Sequence, residues 1–371
     1  MINMNVKSNK KVRPGVALLV VLFIVMAITI LSLGFVSRSD VELTCGQNMF
    51  LRTKMDYIAE SGLEHARGLI LNPQDISPPD EYWKGGTNLQ LTTGSDYYDV
   101  EVTHDVNDLC NYIIDCNAYR LEGTEKISLS RLHAELRLDP CIAYWVGSNT
   151  TVWPQMTING DVYCGGTLTN NSLNIDGDVF AAETISGQDI TGRKNESVTP
   201  SYPVAWPSLS IASFEPIKDV NVPTDMLPNI YPGICYGLND VNMPGNVTVN
   251  GTLVVNGNLT VSGLNNVITA GKNCPALVIG GKVVMKNNSS LEINGLAQVE
   301  QQIMGDPNTS SADINVTGGL FIHSNGITSD VISVNITAAP SIASIDPSST
   351  PGISARWSPA AGAFFRSIER R

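Results

Sequence analysis

Residues Val16 to Val36 form an unbroken run without a charge, VALLVVLFIVMAITILSLGFV. At a rise of about 1.5 Å per residue, a helix of this length spans the hydrocarbon core of a bilayer, about 30 Å. Lys7, Lys10, Lys11 and Arg13 precede the run; Arg38, Asp40 and Glu42 follow it. The basic flank predicts a single pass through the inner membrane, with a cytoplasmic amino terminus and the remaining domains periplasmic or extracellular. A cleaved secretory signal would have a shorter apolar core, about 7–15 residues, followed by a small-residue cleavage site. A plain signal anchor is the simplest alternative.

The pattern continues past the span. Met55, Ile58, Ala59, Gly62, Leu63, Ala66, Leu69 and Ile70 fall at three- and four-residue steps, one face of a helix. Asn72-Pro73 ends it, because a residue before proline resists the helical well. One helix over 16–71 is expected, loosened near Cys45-Gly46. With these residues in view, RPGVALLVVLFIVMAITIL resembles the class III prepilin signal, a basic leader closed by glycine before a retained apolar helix. MDYIAESGLEHARGLI resembles the following segment of PilX-type minor pilins and of the K-type minor pseudopilins of type II secretion. The resemblance implies that residues 1–15 are a leader. It implies that prepilin peptidase cuts between Gly15 and Val16 and methylates the new amino terminus. It also implies that the helix associates with other pilins or pseudopilins. Most major pilins carry glutamate at the fifth mature position, where this chain has Val20. That departure matches the tip-located K-type subunits.

Charged residues make up 16% of the 371 and the net charge is −12, which argues against a nucleic-acid partner. The seven cysteines form no CxxC and only four histidines are present, so no zinc site is expected. Beyond the cytoplasmic membrane disulfides are permitted. Cys110 and Cys116 are the nearest pair and are candidates for a clip; buried reduced thiols are the alternative.

Residues 72–96 read as loop. Strand alternation follows at Asp96–Val102, Asn111–Asp115, Ala118–Leu121 and Ser128–Leu138. A half-buried antiparallel sheet over 72–140, packed on the end of the helix, is expected, with His133 an exposed strand residue. From about Ala143 an apolar-Asn/Asp-Gly phrase recurs. Thr157-Ile-Asn-Gly-Asp-Val162 is answered by Asn174-Ile-Asp-Gly-Asp-Val179, and Gly251, Gly257 and Gly263 are six apart. This predicts an irregular right-handed parallel β-helix, a solenoid, over 143–338. Its composition resembles bactofilin-like and adhesin-like repeats; an antiparallel sandwich is the rival. Prolines mark an excursion over 193–245, pinned by Trp206 and Tyr231. Residues 339–371 read as a Pro/Ser linker and a tail in which Phe364, Phe365 and Ile368 form a stripe on one helical turn. The fold class expected is thus α+β followed by all-β.

GxSxG, HExxH and P-loop motifs are absent, and neither a catalytic site, a metal nor a cofactor is expected. Asp161, Asp176 and Asp178 lie at equivalent corners, where paired carboxylates serve glycoside hydrolysis. Aspartate at such corners is more simply chosen for its turn conformation. Asp105 with Asp108 matches no known calcium spacing. The expected function is a structural minor pilin or pseudopilin of a type IV pilus or type II secretion system, at the fibre tip and displaying a solenoid surface domain, with a polysaccharide or other surface molecule as a candidate ligand. The alternatives are an anchored adhesion protein without a fibre, and an anchored polysaccharide-active enzyme.

Overall fold

The computed structural model describes residues 14–71, 82–105, 108–199, 204, 206–207, 209–271, 274–339, 343–344, 356–357 and 363–370. The leader, apart from its last two residues, lies outside them. Helix α1 (Pro14–Leu71) is unbroken, including at Cys45-Gly46, where a loosening was expected. Gly46 has open space around it, so no packing pulls the helix apart there. The two ends of α1 differ. Residues 18–50 are exposed throughout, and an apolar window with mean hydropathy 2.9 makes the helix long and apolar enough to cross a membrane. Met55, Ala59, Leu63, Ala66 and Ile70, spaced at three and four, are buried.

They pack on an antiparallel sheet of β1 (Gly85–Leu89), β2 (Asp96–His104), β3 (Asn111–Glu122) and β4 (Glu125–Leu138), in that order. Period-two alternation puts Val100, Ile114, Cys116, Ala134 and Leu136 toward the helix. Helix and sheet approach so closely at Gly62 that a methyl group there would meet Cys116 Sγ and the Tyr98 ring. The two short stretches at Asn111–Asp115 and Ala118–Leu121 are one strand, β3. β1 lies inside the stretch read as loop.

The tail is a second difference. Ala363–Arg370 is a strand paired antiparallel to the outer edge of β4, not a helical turn. An uncovered edge of unpaired N–H and C=O groups recruits a strand, and a three-residue apolar spacing within eight residues fits either period. The solenoid is therefore an insertion between two neighbouring strands of the sheet.

The insert is a parallel β-solenoid of about nine turns, not a sandwich. Its coil order is not its chain order. Strand β5 (Ile142–Val146) stacks on Asp161–Cys164, then Val179–Ala181, then Lys194–Asn195. The chain then returns to the opposite end and starts again at Val220–Asn221. It winds through Ile230–Gly237, Thr248–Val255 and Ser289–Val299 to Ala312–Ile322. That last strand pairs in parallel with the first, Leu320 beside Tyr144 and Phe321 beside Trp145. The solenoid is two segments joined at a non-covalent seam.

The proline-rich excursion is shorter than the expected 193–245, because coils resume at Val220. Ile230–Gly237 is a strand despite Pro232; the strand below pairs only with Cys235 and Tyr236, so Pro232 has no partner on that side. The described residues of the remaining segment, 196–219, form a strap along the solenoid. Ten stacked strands span about 43 Å at about 4.8 Å per step, within the reach of its residues even with two 3-10 turns.

Candidate functional site

Three features of the fold bear on function: the bare face of α1, the cleft where sheet meets solenoid, and the covered flank of the solenoid.

Val36, Leu43, Phe50 and Tyr57 recur every seven residues on α1, and each is 59–68% exposed. A seven-residue step keeps side chains on one stripe of a helix. Only Val36 belongs to the membrane-length run. A groove of about 510 Å³, lined by Leu43, Gly46, Phe50, Leu51 and Arg120 among others, lies where the helix leaves the sheet. Farther down, Asp96 joins the two layers. Arg120 of β3 and Lys54 of α1 hold its carboxyl at about 2, well below the usual carboxylate range.

The junction is stapled by a disulfide. Cys110 bonds Cys141, with Cα atoms 6.5 Å apart, not Cys116 as their closeness in sequence suggested. β3 starts at Asn111, so Cys110 and Cys116 are separated by about 20 Å of extended chain. Cys116 faces α1 as a free thiol, and burial pushes it up to about 12.

Asp161 sits on one coil near this junction, and Asp176 and Asp178 both sit on the next. Asp161 is buried and accepts hydrogen bonds from the backbone N–H of Cys141 and of Asp178 at 2.8 and 2.9 Å. Burial pushes its carboxyl up, against those bonds. Asp178 is raised by burial but held below its ordinary value by Arg193, which donates from side chain and backbone. Asp176 accepts from Thr191 Oγ1. These partners lie 15–20 residues away, so the three carboxylates tie neighbouring coils together. Asp108 caps the backbone of Cys110 and lies 3.5 Å from Arg137 Nε; residues 106–107 beside Asp105 lie outside the described residues. Among the described residues no group of three His, Cys, Asp or Glu is arranged to hold a metal. His133 is half-buried, its Nδ1 2.8 Å from Asp115.

The strap covers a ladder of outward side chains. Phe180, Tyr163, Trp145 and Phe321 stack one per coil across the seam, continuing through Gln298 and Val278 to Val254 and Tyr236. Val204, Leu209 and Phe214 of the strap are buried against it. Trp145 Nε1 donates to Val204 O at 2.9 Å, and Trp206 lies between Trp145 and His323. Trp206 pins the strap as expected. Tyr231 instead braces its own turn, its hydroxyl bridging Leu227 N and O. The ladder was not foreseen from the sequence; alternating apolar residues on both faces of strands such as Ala143-Tyr-Trp-Val146 carried its signal.

The sequence matches no family model and no curated protein. Among solved structures, the competence-associated pilin ComZ from Thermus thermophilus aligns over 86% of this chain and 97% of its own, at 12% identity and a TM-score of 0.27.

Proposed function

We propose that this chain is a minor pilin-like subunit, rooted in the inner membrane by α1 and presenting its solenoid from a pilus-like fibre. The observation that carries the reading is the stripe Leu43–Phe50–Tyr57. A simple anchor needs apolar side chains only across about 30 Å of hydrocarbon. These three lie beyond that depth and are left bare by the sheet. Covering a Leu, Phe or Tyr side chain is worth about 1.5–3 kcal/mol each, and the helix of another pilin offers the matching surface.

Three finer elements belong to the same reading. Prepilin peptidase removes residues 1–15 and Val16 becomes the methylated amino terminus. Val20 lacks the carboxylate that would neutralise a neighbour's amino group in a low-dielectric bundle. The subunit therefore belongs at the fibre tip, where no neighbour above needs that carboxylate.

The test is fibre incorporation. Leu43→Asp with Phe50→Asp should leave membrane insertion and melting temperature unchanged, yet remove the protein from sheared fibres. In the parent, mass spectrometry should find an amino terminus at methylated Val16. Undiminished incorporation of the double variant would remove the stripe as the fibre contact; absence of the parent from sheared fibres, or an intact leader in cells with active peptidase, favours the plain surface anchor.

A further inference from the structure

We infer that the broad polar face of the solenoid binds a neutral polysaccharide chain lying along the solenoid axis, with the junction cleft gripping its sugar rings. The inference deepens the display role proposed above.

The face is built by parallel strands in continuous register. Asn250, Thr269, Asn294, Thr317, Thr337 and Asn159 succeed one another as paired positions on adjacent coils, across the point where the two segments meet. They repeat at about 4.8 Å, the spacing between strands. Each carries a hydroxyl or amide. Among the described residues only Asn294 has a side-chain partner, Glu292. The others point a regular array of donors and acceptors outward from a backbone that is already fixed. Short side chains on a rigid sheet lose little freedom on binding, which favours association.

The charges select among ligands. The neighbouring outward positions include Glu292 and Asp313, and the next rung after Asn159 is Asp176. The paired strand positions of this face contain no Lys or Arg. A phosphorylated or sulfated polymer would meet carboxylates. A protein partner would want an apolar centre, and Val267 is the one apolar residue not buried among the paired positions of this face. A neutral, hydroxyl-rich chain satisfies the array.

The last rungs enter the cleft. Thr337, Asn159 and Asp176 form one wall, and Arg137, Arg366 and Asp108 line the same space. Gly160, Gly177 and Gly192 also line it. The volume, about 330 Å³, is at the small end of ligand pockets, about 300–1,000 Å³. Guanidinium and carboxylate groups side by side suit vicinal hydroxyls, which donate and accept at once. Arg137 Nε is buried and ion-paired with Asp108 at 3.5 Å, without hydrogen-bond geometry.

Affinity electrophoresis of the full chain in detergent tests this, in native gels cast with amylose, dextran or galactomannan, and with polygalacturonate as the anionic control. At least one neutral polysaccharide should retard the protein. Thr317→Lys and Asn159→Lys should each weaken that retardation about tenfold, equivalent to about 1.4 kcal/mol. Thr260→Lys, on another face of the solenoid, should leave it unchanged, and all three variants should melt with the parent. No retardation by any neutral polysaccharide, retardation by polygalacturonate alone, or an equal effect of Thr260→Lys would overturn the inference. The fibre reading is tested separately by incorporation, so either can fail alone.

Discussion

At single positions, the absence of a methyl group decides whether one coil can stack on the next. Gly251 and Gly318 turn the chain at the corner with φ of 149° and 141°, and a Cβ on either would run into the carbonyl oxygen of the glycine below, Gly233 or Gly295. That is the physical content of the recurring Asn/Asp-Gly phrase, and it made the solenoid readable from the sequence. Gly318→Ala should destabilise by about 2 kcal/mol or more, combining left-handed strain with the clash. Gly34→Ala, in open space on α1, should be neutral or stabilise by up to about 1 kcal/mol; thermal melts compare them. Asp96 gives the pH dependence. Its carboxyl titrates at about 2 when folded, against about 3.9 unfolded. Its contribution, about 2 kcal/mol, is therefore fully present above about pH 4 and declines as pH falls toward about 2. Asp96→Asn should lower stability at pH 7 and flatten that acid limb, as read by urea melts across pH 2–6. The cysteine pairing was not readable, because it depends on where β3 begins and which loop faces it.

Elements were readable in proportion to how far their own period reveals their partner. The lower face of α1 repeats at three and four and is buried; the heptad stripe above it repeats just as clearly and has no cover among the described residues. The strap is the opposite case. Its prolines signal irregular backbone, yet Val204, Leu209 and Phe214 are as buried as strand residues, since they cover a ladder assembled from both solenoid segments. No local pattern announces such a partner. Trp145 is its central contact, on the strand that forms the seam. Trp145→Ala should cost about 3–5 kcal/mol, the range for large-to-small changes at packed sites. Hydrogen exchange should rise over residues 209–219 and at the seam while α1 stays protected. Unchanged exchange along the strap would mean that its attachment rests on the other contacts.

For the whole molecule, the consequence of insertion is that the solenoid enters and leaves the sheet at one place. Ala143 and Ala338 both crowd Gly160, so the first and last coils meet at the same corner. The Cys110–Cys141 disulfide lies there, closing a loop with a sequence separation of 31 that contains β3 and β4. By chain entropy such a closure stabilises by about 3–4 kcal/mol. The stabilised residues belong to the sheet, because the cross-linked loop holds none of the coils. A solenoid draws its stability from contacts between neighbouring coils, which the disulfide leaves untouched. Replacing both cysteines by serine should therefore lower protection from hydrogen exchange in β3, β4 and the lower half of α1. The strands Thr248–Val255 and Leu277–Ile279, several coils from the seam, should keep theirs. Unfolding should broaden into two steps, the sheet first. If the distant coils lose protection in parallel with β3, the staple governs one cooperative unit, and the view of a self-supporting solenoid hung from the sheet fails.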